Sequence, residues 1–192
     1  KKFQRADRDR SIMKKYWYAL CSYIRFWCIK IKTHKFTFTK ANLIFPHCAF
    51  EFSSRALVSF GYKISMRRNT QITIRNDGQL IIGNNSFFNA NCVITCHNYI
   101  EVGENCKFGP GCMMFDQDHN MENTKTIVEK NNFTSDKIII GEGCWFGAGC
   151  IILKGSIIEP HCVFGAGTII KGTYKKGSIV IQKRNTSIKM FE

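Results

Sequence analysis

"IGEGCWFGAGCIILKGSIIEPHCVFGAGTIIKG", residues 140–172, sets Ile140, Phe146, Ile152, Ile158, Phe164 and Ile170 six residues apart. A period of six matches neither the turn of an α-helix, about 3.6 residues, nor the simple alternation of a half-buried strand. It fits a parallel β-helix, in which short strands form flat faces, tight corners join them and three sixes complete one coil. Within each six the first residue is large and apolar, the second is often Gly, and the fifth is small. The first enters the core, where each such side chain contributes on the order of 1.5–3 kcal/mol. The fifth fits the narrow interior near a corner, and glycine relieves the turn. Stacked coils make these buried groups contiguous.

Upstream of this stretch the same pattern reads IGNNSF, FNANCV and ITCHNY over 82–99 and, after a slip of two residues, VGENCK, FGPGCM and MFDQDH over 102–119. Six of the ten cysteines, Cys92, Cys106, Cys112, Cys144, Cys150 and Cys162, take the fifth place, where cysteine serves as a small hydrophobe. With no clear cleavable signal and no CxxC pair, the cysteines read as reduced thiols of a cytosol rather than as a disulfide framework or a zinc site. From about 40 to 80 the period is absent, and alternation such as "QITIRNDGQLII" (71–82), with a turn at Asn76-Asp77-Gly78, predicts irregular early coils. The expected organisation is a helical segment over 1–40, a β-helix over 41–182 and a tail over 183–192.

The 192 residues suit one domain, with a net charge of +14 that is unevenly spread. Residues 1–40 hold 12 basic side chains against Asp7 and Asp9, a field that attracts phosphates, anionic lipid or an acidic polymer. Nucleic-acid binding has only this charge in its favour and no fold signature. In "SIMKKYWYALCSYIRFWCIKIK" (11–32) the longest uncharged run, Tyr16 to Ile24, is far short of the roughly 18 residues of a membrane span. Two readings of this segment stay open: an amphipathic helix in a membrane interface, and a helix packed on the body of the protein or on a neighbouring subunit. The chain opens on Lys1 rather than Met, and residues upstream of it are an expectation.

"FDQDHNMENTKTIVEKNNFTSD" (115–136) breaks the repeat with a polar stretch too long for a corner. It begins with Asp116, Asp118 and His119. An imidazole titrates in the range needed to take a proton from an alcohol, and Asp116 or Asp118 would orient it and stabilise its charged form. The alternative is a solvated turn, in which these residue types are common. His97, in "TCHNYI", also lies beside a slip in the repeat and is the rival histidine; His161 falls in a regular coil as a surface corner residue, and His34 and His47 lie outside the repeat. Trp145 takes an outward position beside a corner, where an indole either stacks on a ligand such as a sugar face or simply packs on the coil.

These repeats, the "DHN" of the extruded loop and the stretches "CWFGAGCIILKG" and "FGAGTIIKG" resemble the hexapeptide-repeat acyltransferases over about 80–182, in particular the sugar and polysaccharide O-acetyltransferases that act on galactosides, maltose and capsule. The resemblance implies a left-handed parallel β-helix, a homotrimer with its site between adjacent subunits, and acetyl-CoA as co-substrate without a metal. It makes His119 the catalytic base and puts Asn89 beside acceptor and thioester, as an oxyanion donor or as a corner asparagine. It lines a pantetheine channel with Ala148, Gly149, Ala166 and Gly167. Lys171, Lys183 and Arg184 would meet the phosphates, although "SIVIQKRNTSIK" departs from the family's usual tail. The family's acidic acceptor ligand is missing near His97, which makes His97 an acceptor contact in its place.

The leading expectation is acetyl-CoA-dependent O-acetylation of a hydroxyl on a bacterial surface polysaccharide, capsule or O-antigen, or its lipid-linked precursor. The alternatives are N-acyl transfer to a nucleotide-linked amino sugar and a non-catalytic β-helix scaffold. A metal-dependent hydratase would need three converging histidines, a spacing that His97, His119 and His161 do not show. The expected location is the bacterial cytoplasm, peripheral at the inner membrane if residues 11–32 lie in its interface.

Overall fold

The computed structural model describes residues 2–33, 35–120, 133–183 and 187–190. A helix, Lys2–Lys32, is followed by a solenoid of short parallel strands. Three sheets form its faces. The first face stacks Phe36–Phe38, Leu57–Phe60, Gln79–Ile82, Tyr99–Val102, Ile138–Ile140, Ile157–Ile158 and Thr173–Tyr174. The second stacks Leu43–Ile44, Ser65–Met66, Phe87–Phe88, Lys107–Phe108, Trp145–Phe146, Val163–Phe164 and Ile179–Val180. The third has six strands, Ala49–Phe52, Gln71–Ile74, Val93–Cys96, Met113–Phe115, Ile151–Leu153 and Ile169–Ile170.

The six-residue pattern has the packing consequence expected of it. Ile140, Phe146, Ile152, Ile158, Phe164 and Ile170 are at most 1% exposed, and Cys92, Cys106, Cys112, Cys144, Cys150 and Cys162 are buried as free thiols. On the second face Phe88, Phe108, Phe146 and Phe164 stack in one column, with ring centroids 4.6, 4.7 and 5.0 Å apart. Each aromatic pair adds about 0.5–1.5 kcal/mol beyond the area it buries. Tyr174 closes the column edge-on to Phe164 at 5.0 Å.

The early coils are regular, which corrects the expectation for 40–80. Phe36 pairs with Val58 and Val58 with Leu80, so these coils take 22 residues each, against 18 where Ile139 pairs with Ile157. The extra residues lengthen strands and corners without disturbing the inward positions: Val58, Phe60, Ile72, Ile74, Leu80 and Ile82 are all buried. The Asn76-Asp77-Gly78 turn is a corner between faces rather than a hairpin, because the strands on either side of it join different sheets. The solenoid also begins before residue 41, since Phe36–Phe38 is already on the first face.

The helix is part of this body. Phe26 is 1% exposed and meets the rings of Phe36, Phe38, Phe50 and Phe60 at centroid distances of 5.3–5.7 Å. Ser22 Oγ accepts from Ile44 N–H at 2.9 Å, and the Arg25 guanidinium donates to Cys48 O. One helix face thereby covers the open end of the first coil, which would otherwise expose apolar interior.

Coils approach closely at the corner between the first and second faces, where Gly103 N–H donates to Ile140 O at 2.7 Å. A Cβ on Gly103 would stand 2.6 Å from Glu142 N and 2.7 Å from Gly141 C, both backbone atoms. Gly103→Ala is therefore expected to destabilise the fold by about 1–3 kcal/mol. A denaturant melt checks this, and an unchanged midpoint would show that the coils can spread.

Candidate active site

The break in the repeat leaves the corner between the third and first faces, here the loop corner. There Gln117–His119 pairs antiparallel with Phe133–Ser135, so the segment departs and returns as a two-stranded ribbon that sets His119 opposite Phe133. Residues 121–132 lie outside the described residues. One coil earlier, the same corner carries His97 at the end of Val93–Cys96.

The ribbon brings the two histidines to one side chain. The His119 imidazole lies 4.6 Å from the Phe133 ring and that of His97 4.7 Å from it, edge-on. His97 is partly buried, and its pKa lies below the ordinary imidazole value of 6.5, chiefly through desolvation, with further lowering by Arg75 and His119 against the opposing charge of Asp116. It is therefore held neutral, with a ring nitrogen able to accept a proton. His119 is exposed.

The carboxylates act elsewhere than expected. Asp116 is fully buried, and its two oxygens accept from the backbone N–H groups of His97 at 2.8 Å and Asn98 at 2.7 Å. Its carbonyl accepts from Asp136 N–H at 2.9 Å, so one residue fixes the His97 corner and the root of the ribbon together. Asp118 pairs with Lys154 Nζ at 3.2 Å, and Lys154 also donates to Thr134, which ties the ribbon to the following coil. Neither aspartate bonds to the His119 ring among the described residues: Asp116, at the bend before the ribbon, turns inward to the backbone, and Asp118, on the ribbon, turns towards Lys154. Asp116 is thus a positioning residue for His97.

The corner between the second and third faces is lined by small residues. Successive coils stack through N–H donation by Gly111 to Ala90 O, Gly149 to Pro110 O and Gly167 to Ala148 O, at 2.7–2.9 Å. No atom lies within 4 Å of where a Cβ would stand on Gly111 or Gly149, so the edge is bare. The middle residue of each corner distinguishes the coils. The Ala90 N–H is capped by Asn89 Oδ1 at 2.9 Å, and Pro110 has no N–H. The N–H groups of the exposed Ala148 and Ala166 donate to no group among the described residues. Two successive coils therefore keep an uncapped N–H beside the bare edge, each nitrogen packed on the glycine of the coil before it, 2.6 Å from where a Cβ would stand on Gly109 and 2.5 Å on Gly147; such a donor suits a ligand carbonyl, as in a pantetheine arm. Asn89 spends its Oδ1 on this local cap and keeps Nδ2 as a donor.

Trp145 is 48% exposed on the second face, two residues before this corner, in register with Lys107 and Val163. Lys183 follows Gln182, whose side chain pairs with both the N–H and the carbonyl of Ile169, so Lys183 stands at the far end of the bare edge. Lys171 does not join it: it follows Ile169–Ile170 at the loop corner. Arg184 and His34 lie outside the described residues. His161 occupies a corner in the left-handed region, φ 64°, beside Glu142 at 3.8 Å. Among the described residues no group of three or more His, Cys, Asp or Glu side chains is placed to hold a metal ion.

Within one chain the histidines and the bare edge do not meet. They occupy opposite ends of the third face, separated by four residues of strand, roughly 13 Å. Phe133 and Lys154 escaped the sequence reading. Only the ribbon register, which puts residue 133 opposite 119, and the stacking of the next coil bring them to the site.

Two segments match family models: 137–172, the bacterial transferase hexapeptide (six repeats), and 79–113, the hexapeptide repeat of succinyl-transferase. No curated protein matches the chain. Among solved structures it is similar to the N-acyltransferase AntD from Bacillus cereus, in complex with dTDP and coenzyme A, at 16% identity over 86% of this chain and 88% of that one, TM-score 0.67. It is similar to a hexapeptide-repeat-containing acetyltransferase from Vibrio cholerae complexed with acetyl-coenzyme A, at 19% identity over 67% and 66%, TM-score 0.56. It is also similar to a maltose O-acetyltransferase from Clostridium difficile, at 18% identity over 83% and 72%, TM-score 0.52. At these identities the likeness is one of fold.

Proposed function

We propose that this hexapeptide-repeat chain is an acyltransferase that moves an acetyl group from acetyl-CoA to a hydroxyl of a carbohydrate. The observation that carries this reading is the pairing of His97 and His119 on Phe133, with His97 held neutral. A sugar hydroxyl is scarcely ionised at neutral pH, so its attack on a thioester requires a base. His119, at the exposed tip of the described ribbon, takes the hydroxyl proton as the oxygen bonds to the thioester carbonyl. Collapse of the tetrahedral adduct breaks the C–S bond, and the imidazolium returns its proton to the departing thiolate.

The distance between histidines and bare edge is the ground for the second part of the reading. A site that uses both takes the histidines from one copy and the edge with Ala148 and Ala166 from the next, as in a homotrimer. Trp145, near that edge, offers its indole to the sugar or to the donor arm. The excess of positive charge favours an anionic or lipid-linked surface polysaccharide as acceptor over a small free sugar.

One observation favours a second reading, N-acyl transfer to an amino sugar. No carboxylate supports His119 among the described residues, and an unprotonated amine attacks a thioester with less help from a base. Release of free CoA thiol from acetyl-CoA, measured with sugars, nucleotide-linked amino sugars and purified polysaccharides, separates the two. Turnover only with hydroxyl acceptors is expected, turnover only with amines would replace the first reading by the second, and none with any acceptor would leave a scaffold.

A further inference from the structure

The helix Lys2–Lys32 has a second apolar face that the solenoid does not cover. It starts at Met13 and continues through Trp17, Leu20, Ile24 and Trp27 to Ile31, all between 51% and 71% exposed. At about 100° per residue these positions share one stripe, nearly opposite the face that buries Ser22, Phe26 and Ile29. Two of the chain's three tryptophans are on it. An exposed stripe of this kind on a helix whose other side is already packed marks an interaction surface.

We propose that this stripe seats the protein on the surface of an anionic lipid bilayer, the helix lying in the interface with its other face on the first coil. Charge selects this occupant. From Arg10 through Phe50 there is no acidic residue, and Lys30, Lys32, Lys35 and Lys40 are exposed where the helix ends and the solenoid begins. Such a surface attracts acidic headgroups while indole and aliphatic groups enter the boundary below them. A second copy of the helix would match the alternating three- and four-residue spacing of the stripe but would bring lysine against lysine with no acidic partner. Among the described residues no helix is long and apolar enough to cross a membrane, so the contact is one of lying on the surface. The inference is independent of the proposed chemistry, since it uses no residue of the site.

Flotation of the full chain with vesicles tests it. Vesicles of phosphatidylcholine and phosphatidylglycerol in equal parts are expected to bind at least about tenfold more protein than phosphatidylcholine alone, with loss at high salt and a blue shift of tryptophan emission. The combined variant Trp17→Gln, Leu20→Gln, Trp27→Gln replaces exposed side chains and is expected to lose about tenfold or more of that binding with an unchanged circular dichroism spectrum. If it misfolds, the pair Lys30→Glu, Lys32→Glu gives the same readout through charge. No binding to the acidic vesicles, equal binding to both kinds, or binding that survives both sets of substitutions would overturn the proposal. So would an oligomer that dissociates in the triple variant when neither protein floats, which would assign the stripe to self-association.

Discussion

His119→Ala is expected to lower kcat for transfer to a sugar hydroxyl by about 10²–10⁴-fold, the usual contribution of a positioned acid–base group. The KM for acetyl-CoA should hold, because the bare edge at Ala148 and Ala166 lies at another corner of the chain. His97→Ala should cost less if His97 contacts the acceptor and more if it is the base. The pH dependence distinguishes them. A base must be neutral to act, so kcat/KM falls as pH drops through its pKa; desolvation puts that of His97 below 6.5, and a limb due to His97 lies on the acid side of that value. Full activity in the alanine variant with a hydroxyl acceptor would remove His119 as the base. Full activity confined to amino sugars would establish the second reading.

The histidine was legible because a break in a strict period is conspicuous, and a polar stretch after "MMF" has no place in a corner. Its surroundings were not. Asp116 and Asp118 looked alike as neighbours of His119, and strict strand alternation would set residues two apart on one side, but Asp116 stands at the bend before the ribbon strand Gln117–His119 begins. One therefore holds the backbone at 97–98 and the other meets Lys154. Pairings between 119 and 133, or 118 and 154, follow from ribbon register and coil stacking, which no local spacing records. Ala148 and Ala166 are legible in the sequence only as small residues at coil corners. What makes them different from Ala90 and Pro110, an N–H left uncapped, arises only in the folded corner.

The fold was legible where each face takes six residues and hidden where it takes more. Coils of 22 residues keep the inward positions but lose the numerical period, so 40–80 read as irregular although Phe60 and Ile82 occupy equivalent places. The amino-terminal segment was ambiguous for a different reason. Both of its proposed settings want apolar and aromatic side chains, and the helix has two faces of that kind. Burial alone separates Phe26, at 1% exposed, from Trp27, at 51%.

That separation gives Phe26→Ala the second large effect, an expected loss of about 3–5 kcal/mol. The phenyl ring is surrounded by Phe36, Phe38, Phe50 and Phe60, and these rings cannot close the space it leaves, because each is fixed on a strand of the first two coils. In a solenoid each coil touches only its neighbours, so the loss should stay at this end. Hydrogen exchange is then expected to accelerate by about two to four orders of magnitude in the helix and the strands over 36–52, with little change over 138–170. A global loss of protection would mean that the coils unfold as one unit. A loss below about 1 kcal/mol would show that the helix merely rests on the solenoid, and the stripe on its other face would then lack the rigid backing that holds it outward.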